Sequence, residues 1–263
     1  EQIFELGQEI SVDGTIAIDQ WAFRTIIDTI GPITLNTGEV LESESYLQTL
    51  ETQTDLFGRG FMDTTLEAIL DRLREHGTNQ NLMAFLAAIN TSFNEKHLMV
   101  SLHDENLQNI ANRNGWTGAI DLGSGDYLMV VDSNVGFSKV NRNIEQSITY
   151  TVNLDNLDNP EARLDILYTN RSSKVTQNQC EIQASGRAGI SYEQQKNTCY
   201  WDYLRVYAPM DSVLNNSSPF PMPQGALYRQ IGYDDIEDTS RTYIESGKSV
   251  FAGYFNLEAG KSK

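Results

Sequence analysis

The spacing of apolar residues changes once along this 263-residue chain, and that change limits what it can fold into. Ahead of residues 126–170 the apolar positions recur every third or fourth residue; from Ile144 they recur every second. The first period covers one stripe of a helix and the second covers one face of a strand. A chain that switches between them carries two architectures, and residues 126–170 read as the hinge. They open with an apolar strand ending at Val131, break at Asp132-Ser133-Asn134, pass a turn holding Gly136, Lys139 and Arg142, and enter two long alternating strands.

In the first part, residues 14–18 predict a short strand, and Asp19 is a suitable N-cap for the helix that follows. Ala22, Phe23, Ile26, Ile27 and Ile30 fall on one helical face, Gly31-Pro32 stops it, and residues 33–35 predict a second strand. Strand, helix and strand in that order fit an α/β layer. Further helices are predicted over 43–51, 61–75, 79–94 and 104–114, with a strand over 97–103 and Asp104 capping the last helix. In the second part Ile148, Tyr150, Val152 and Leu154 alternate, as do Leu164, Ile166 and Tyr168. Leu204, Val206 and Ala208 alternate with Tyr203, Arg205 and Tyr207, and residues 249–257 form a further strand. Strands without intervening helices predict an antiparallel β-sandwich-like domain. The expected class is therefore α+β, with a mixed α/β domain over 1–135 and the sandwich-like domain over 136–263.

Charge and cysteines restrict the setting. Against 19 Lys and Arg stand 36 Asp and Glu, a net charge of −17 that repels nucleic acid and anionic lipid. No apolar run reaches the roughly 20 residues a membrane-spanning helix needs. Cys180 and Cys199, the only two cysteines, lack the companions of a zinc site. A disulfide between them, worth ~3 kcal/mol in the chain-entropy view, implies an oxidising compartment; two reduced thiols are the alternative. Glu1 is not an initiator methionine, and the last strand has nothing after it to pair with, so both ends read as interruptions of a longer protein.

No phosphate-cradling loop, dinucleotide fingerprint, GxSxG elbow or HExxH helix occurs. The residues left for chemistry are Asp13 and Asp19 at strand ends, Arg24 on the helix between, and His103 beside Asp104 as a base with an orienting carboxylate. Each also has a plain role in a turn or cap. Asp132 and Asn134, with Lys139, form the most distinctive polar cluster, either a binding turn or a turn that pins the hinge. Asp155, Asp158, Asp234 and Asp235 supply oxygens densely without EF-hand spacing, which makes calcium the one metal to consider. Asn170-Arg171-Ser172 matches the glycosylation acceptor pattern, as do Asn90-Thr91-Ser92 and Asn215-Asn216-Ser217.

Five landmarks occur in order: VDGTIAIDQWAFRTIIDTIGPITL, NGWTG, VVDSNVGFSKVNRNI, YWDYLRVYAPMDSVL and GKSVFAGYFNL. In that order they resemble the bacterial surface family catalogued as domain of unknown function 4012. Its members are membrane-anchored proteins whose bulk lies outside the cell, and they carry an upstream segment with a Gly-Gly-Phe element that this chain lacks. The opening landmark is also similar to the strand–helix–strand of the LytR-CpsA-Psr transferases. Those enzymes hold a polyprenyl pyrophosphate with Arg and Asp residues and magnesium, and only Arg24 lies on the matching helix here. The resemblances imply an extracellular, membrane-anchored protein that scaffolds, adheres or assists envelope assembly. A wall-glycopolymer transferase or hydrolase is the alternative. Protein or envelope glycan would be the partner, and missing residues or another chain would complete the α/β layer.

Overall fold

The structure is a computed structural model that describes residues 7, 11–35, 38–57, 60–76, 82–120, 123, 125–136, 138–156, 159–173, 191–221 and 237–263. It is an α+β chain with antiparallel sheets. The chain separates into two compact units, Glu1–Asp121 and Leu122–Lys263.

In the first unit β1 (Gly14–Ile18) leads into α1 (Gln20–Ile30) through Asp19, whose carboxylate accepts from the N–H groups of Trp21 and Ala22. These bonds satisfy two of the donors a helix start leaves unpaired. The buried face of α1 is Ala22, Phe23, Ile26 and Ile27, as the spacing predicts. The two strands flanking α1 do not pair with each other. β2 (Ile33–Thr34) folds back on β3 (Val40–Leu41), and β1 pairs antiparallel with β4 (Leu98–Leu102). Local chain reversal takes β2 away before it can join a parallel layer, so the expected α/β layer is two separate antiparallel ribbons among the described residues.

The other helices are α2 (Tyr46–Phe57), α3 (Gly60–His76), α4 (Leu82–Asn94) and α5 (Glu105–Arg113), the last capped by Asp104 as expected. Phe23, Ile26 and Ile27 of α1 share a core with Ile33, Leu35, Leu41, Tyr46, Leu50, Phe61 and Ile69. Tyr46 is wholly buried there, its hydroxyl has no hydrogen-bond partner among the described residues, and burial pushes its pKa up to about 12. A buried hydroxyl without a partner carries its desolvation cost uncompensated. Tyr46→Phe should therefore leave stability unchanged or raise it by about 1 kcal/mol, read as a higher urea midpoint at constant slope. A loss of stability would mean that the hydroxyl has a partner after all.

The second unit is built on a four-stranded antiparallel sheet in the order β5-β8-β10-β9. Its strands are β5 (Met129–Val131), β8 (Tyr200–Ala208), β9 (Arg241–Glu245) and β10 (Lys248–Leu257). Ser246 and Gly247 join β9 to β10, both at positive φ (49° and 71°), the two-residue turn whose twist suits a hairpin. β6 (Ile144–Asn153) and β7 (Glu161–Asn170) form a separate hairpin in full register from Ile144↔Asn170 to Asn153↔Glu161. Residues 261–263 extend it: Tyr168 and Lys263 exchange backbone bonds of 2.8 and 2.9 Å, and the Asn170 N–H donates to Lys261.

Alternation gives β8 two faces. Tyr200 and Leu204 of β8 pack with Phe255 and Leu257 of β10, with Tyr168 of the hairpin and with Val140. Phe220 joins from the side and lies so close over Gly253 that a Cβ there would sit 2.4 Å from its ring. On the other face Trp201 packs with Cys199, Val135 and Tyr254, and Tyr203 stacks on Tyr254 at 4.3 Å. β5 is half-buried and pairs with β8, Val130 opposite Val206. Residues 126–135 accordingly go with the second unit, whereas the change of period places a boundary after 135.

Candidate functional site

The hinge residues become a site because the chain leaving β5 keeps to the edge of β8. Tyr203 N–H donates to Ser133 O at 3.0 Å, Val135 N–H donates to Trp201 O at 2.9 Å, and Asn134 bridges to Asp202. Asn134 then closes the corner with its side chain. Its Oδ1 accepts from the Gly136 N–H, and its amide nitrogen donates to Ser138 and Asn141. Lys139 is exposed, and its backbone N–H reaches Gln195 O at 3.0 Å.

This path sets the Asp132 carboxylate, which is exposed, against Asp202, whose exposure is 0%. Asp132 is gripped from the hairpin. Tyr168 of β7 donates its hydroxyl to Oδ1 at 2.5 Å, and Gln146 of β6 donates to Oδ2 at 2.8 Å and to the Tyr168 hydroxyl at 2.9 Å. Asp202 accepts from the Tyr200 hydroxyl, 3.0 Å from Oδ1. Its Oδ2 meets no hydrogen-bond partner among the described residues. What faces Asp202 is the Asp132 carboxyl. Two carboxylates are both acceptors, so a hydrogen bond joins them only when one holds a proton.

Burial first, and the negative charge of Asp132 second, push the Asp202 carboxyl up to about 7, against the smaller opposing pull of the Tyr200 hydroxyl and the Ser133 backbone. The same burial, with the neighbouring carboxylates, holds the hydroxyls of Tyr168 and Tyr200 far above the usual tyrosine range. Chemically the pair can share one proton between an exposed and a buried carboxyl. The rings of Tyr168, Tyr200 and Phe255 pack together beside the pair with centroids 5.1–6.3 Å apart, and Asp202 has no exposed surface.

The remaining candidates do not gather at this site. Asp13 is exposed and its carbonyl accepts from the His103 N–H at 2.8 Å. Asp19 caps α1 and also meets His97 Nδ1 at 2.7 Å. Arg24 lies over the Trp21 ring, 5.4 Å from its centroid. His103 is exposed, and the Asp104 carboxylate that would orient it accepts from the N–H groups of Asn106 and Leu107. Asp155 is exposed, its N–H bonded to Asn153 Oδ1. Among the described residues no group of three or more His, Cys, Asp or Glu could hold a metal ion. Asp158, Asp234, Asp235 and Cys180 lie outside the described residues, while Cys199 is buried against Trp201.

Asp202, Tyr168, Tyr200 and Gln146 are absent from the candidates that spacing suggests. The signal for Asp202 is present, however. Carried back from Leu204, the alternation of β8 puts Tyr200 and Asp202 on the apolar face, where a lone carboxyl must find a partner. Compared with protein-family models, with curated proteins and with solved structures, the chain has no significant match.

Proposed function

We propose that this chain belongs to an extracellular or cell-surface protein, membrane-anchored at full length, whose role is scaffolding, adhesion or envelope assembly. One observation carries the reading: the side chains that chemistry would call on are engaged in holding the fold. Asp19 caps a helix and pairs with His97, Arg24 packs on Trp21, Asp104 caps a second helix, and Asp132 ties a hairpin to a sheet. The resemblance to the surface family catalogued as domain of unknown function 4012 and the net charge of −17 support the same assignment. Packing of the β6–β7 hairpin over one face of the four-stranded sheet supports a sandwich-like second domain. Protein or envelope glycan is the partner class, and a Cys180–Cys199 disulfide fits the compartment.

Protease shaving of intact native cells, with thiol alkylation before and after reduction, tests the assignment. The expected result is cleavage from outside the cell and alkylation of both cysteines only after reduction. Recovery in the cytosol with both thiols alkylated at once would overturn it. So would saturable binding of a polyprenyl pyrophosphate that is lost in Arg24→Ala, which would favour a wall-glycopolymer transferase instead.

A further inference from the structure

We propose that the Asp132–Asp202 pair is a proton-operated latch, closing the β6–β7 hairpin onto the four-stranded sheet while a proton is shared and loosening it when that proton leaves. The two carboxyls stand on the sheet side: Asp202 lies within β8, and Asp132 follows β5 along its edge. The groups that grip Asp132, Tyr168 and Gln146, stand on the hairpin. Asp132 is therefore the shared element, and whatever moves it moves the hairpin's polar attachment.

With the proton present, Asp202 and Asp132 are joined by a hydrogen bond. Without it, two negative charges face each other, one of them wholly buried with an oxygen that meets no donor among the described residues. That arrangement relaxes if Asp132 swings out or water enters, and either change breaks the Tyr168 and Gln146 bonds. Among the described residues no cation is among the groups that act on Asp202. The groups acting on Asp202 are the Asp132 carboxyl, the Tyr200 hydroxyl and the Ser133 backbone. From β7 the Tyr168 hydroxyl reaches Asp132 rather than Asp202, and β6 contributes the neutral Gln146. Opposite Asp202 on β10 is Phe255, with Lys263 Nζ 5.3 Å from the centre of its ring.

The direction of the pH effect follows from the raised affinity of Asp202 for its proton. Between the ordinary carboxyl value of 3.8 and about 7 the folded chain holds a proton that the unfolded chain has released. The pair's contribution to latch and fold is thus greatest in acid, declines as pH rises toward and through 7, and is level above it.

Hydrogen exchange of the full chain, corrected for intrinsic rates, reads this directly. Protection of amides around Gln146 and Tyr168 should fall by up to tenfold per pH unit as pH rises from about 5 to about 7 and level off above that, while amides of α1 serve as the internal reference. In Asp202→Asn a neutral amide replaces the protonated acid and can donate to Asp132 at any pH, so the fall should vanish. In Asp132→Asn the negative charge that helps raise Asp202 is gone, so the fall should end at lower pH than in the wild type. A wild-type hairpin whose protection stays constant from about pH 5 to pH 9 would overturn the latch. So would an unchanged fall in both variants.

Discussion

Asn170→Ala should cost the second unit about 3–4 kcal/mol, more than any other polar substitution in it, because one buried side chain closes three backbone gaps. Asn170 is 0% exposed at the end of β7. Its amide nitrogen donates to Thr198 O at 2.9 Å and to Leu257 O at 3.1 Å, and its Oδ1 accepts from the Ser172 N–H at 3.0 Å. Three segments far apart in sequence therefore meet on one residue: the hairpin, the entry to β8 and the exit from β10. Alanine leaves two carbonyls and an N–H without partners in a place water reaches poorly. Asn170→Asp separates the donors from the acceptor. It keeps the bond to Ser172 but points a second acceptor at two carbonyls, so it should be about as costly as alanine, less so in acid where the carboxyl can donate. Urea titration of both variants checks this, and a cost below about 1 kcal/mol for alanine would mean that water replaces the amide. The burial also gives the Asn170-Arg171-Ser172 acceptor pattern a structural reading, since the amide a glycan would need is already bonded inside the fold.

Local features of this chain were legible, and those that depend on distant pairing were not. Asp19 and Asp104 mark helix starts because a cap acts within three residues, and Ala22, Phe23, Ile26 and Ile27 mark the buried face because helical spacing is local. The β6–β7 hairpin follows from alternation and the turn between its strands. Strand β9 has a signal that the spacing alone does not weigh: the dipeptide Ser246-Gly247 between Tyr243-Ile244 and Val250-Phe251. By contrast, nothing near residue 130 indicates that β5 pairs with β8 across the whole hairpin. The same non-local pairing brings Asp202 to Asp132. Asp132 stands out in sequence as a break in an apolar run, but its partner becomes meaningful only once the edge of β8 is known.

Phe255→Ala should lower the stability of the second unit by about 3–5 kcal/mol, the largest apolar effect expected there. Phe255 is 1% exposed and lies directly opposite Asp202 in the β8–β10 ladder. Its ring meets Tyr168 at 5.1 Å, Tyr200 edge-on at 6.0 Å and Phe220 at 6.3 Å, so it is the contact shared by the hairpin, the sheet and the segment that lies over Gly253. Truncation removes these ring contacts and leaves a cavity that paired strands cannot readily collapse to fill. Phe255→Leu keeps most of the volume and should cost about 1–2 kcal/mol, which separates lost packing from lost ring geometry. Guanidinium unfolding followed by Trp201, with Trp21→Phe and Trp116→Phe in the background, reports the second unit alone. The cavity also adjoins Asp202, which Phe255 faces across the ladder. If water enters it, Asp202 becomes better solvated and its affinity for the proton falls toward that of an ordinary carboxyl. Phe255→Ala should then weaken the pH dependence of hairpin protection as well as the fold, whereas Phe255→Leu should preserve it. A large loss of stability with an unchanged pH profile would show that Asp202 is buried by its tyrosines and the strand edge rather than by this ring.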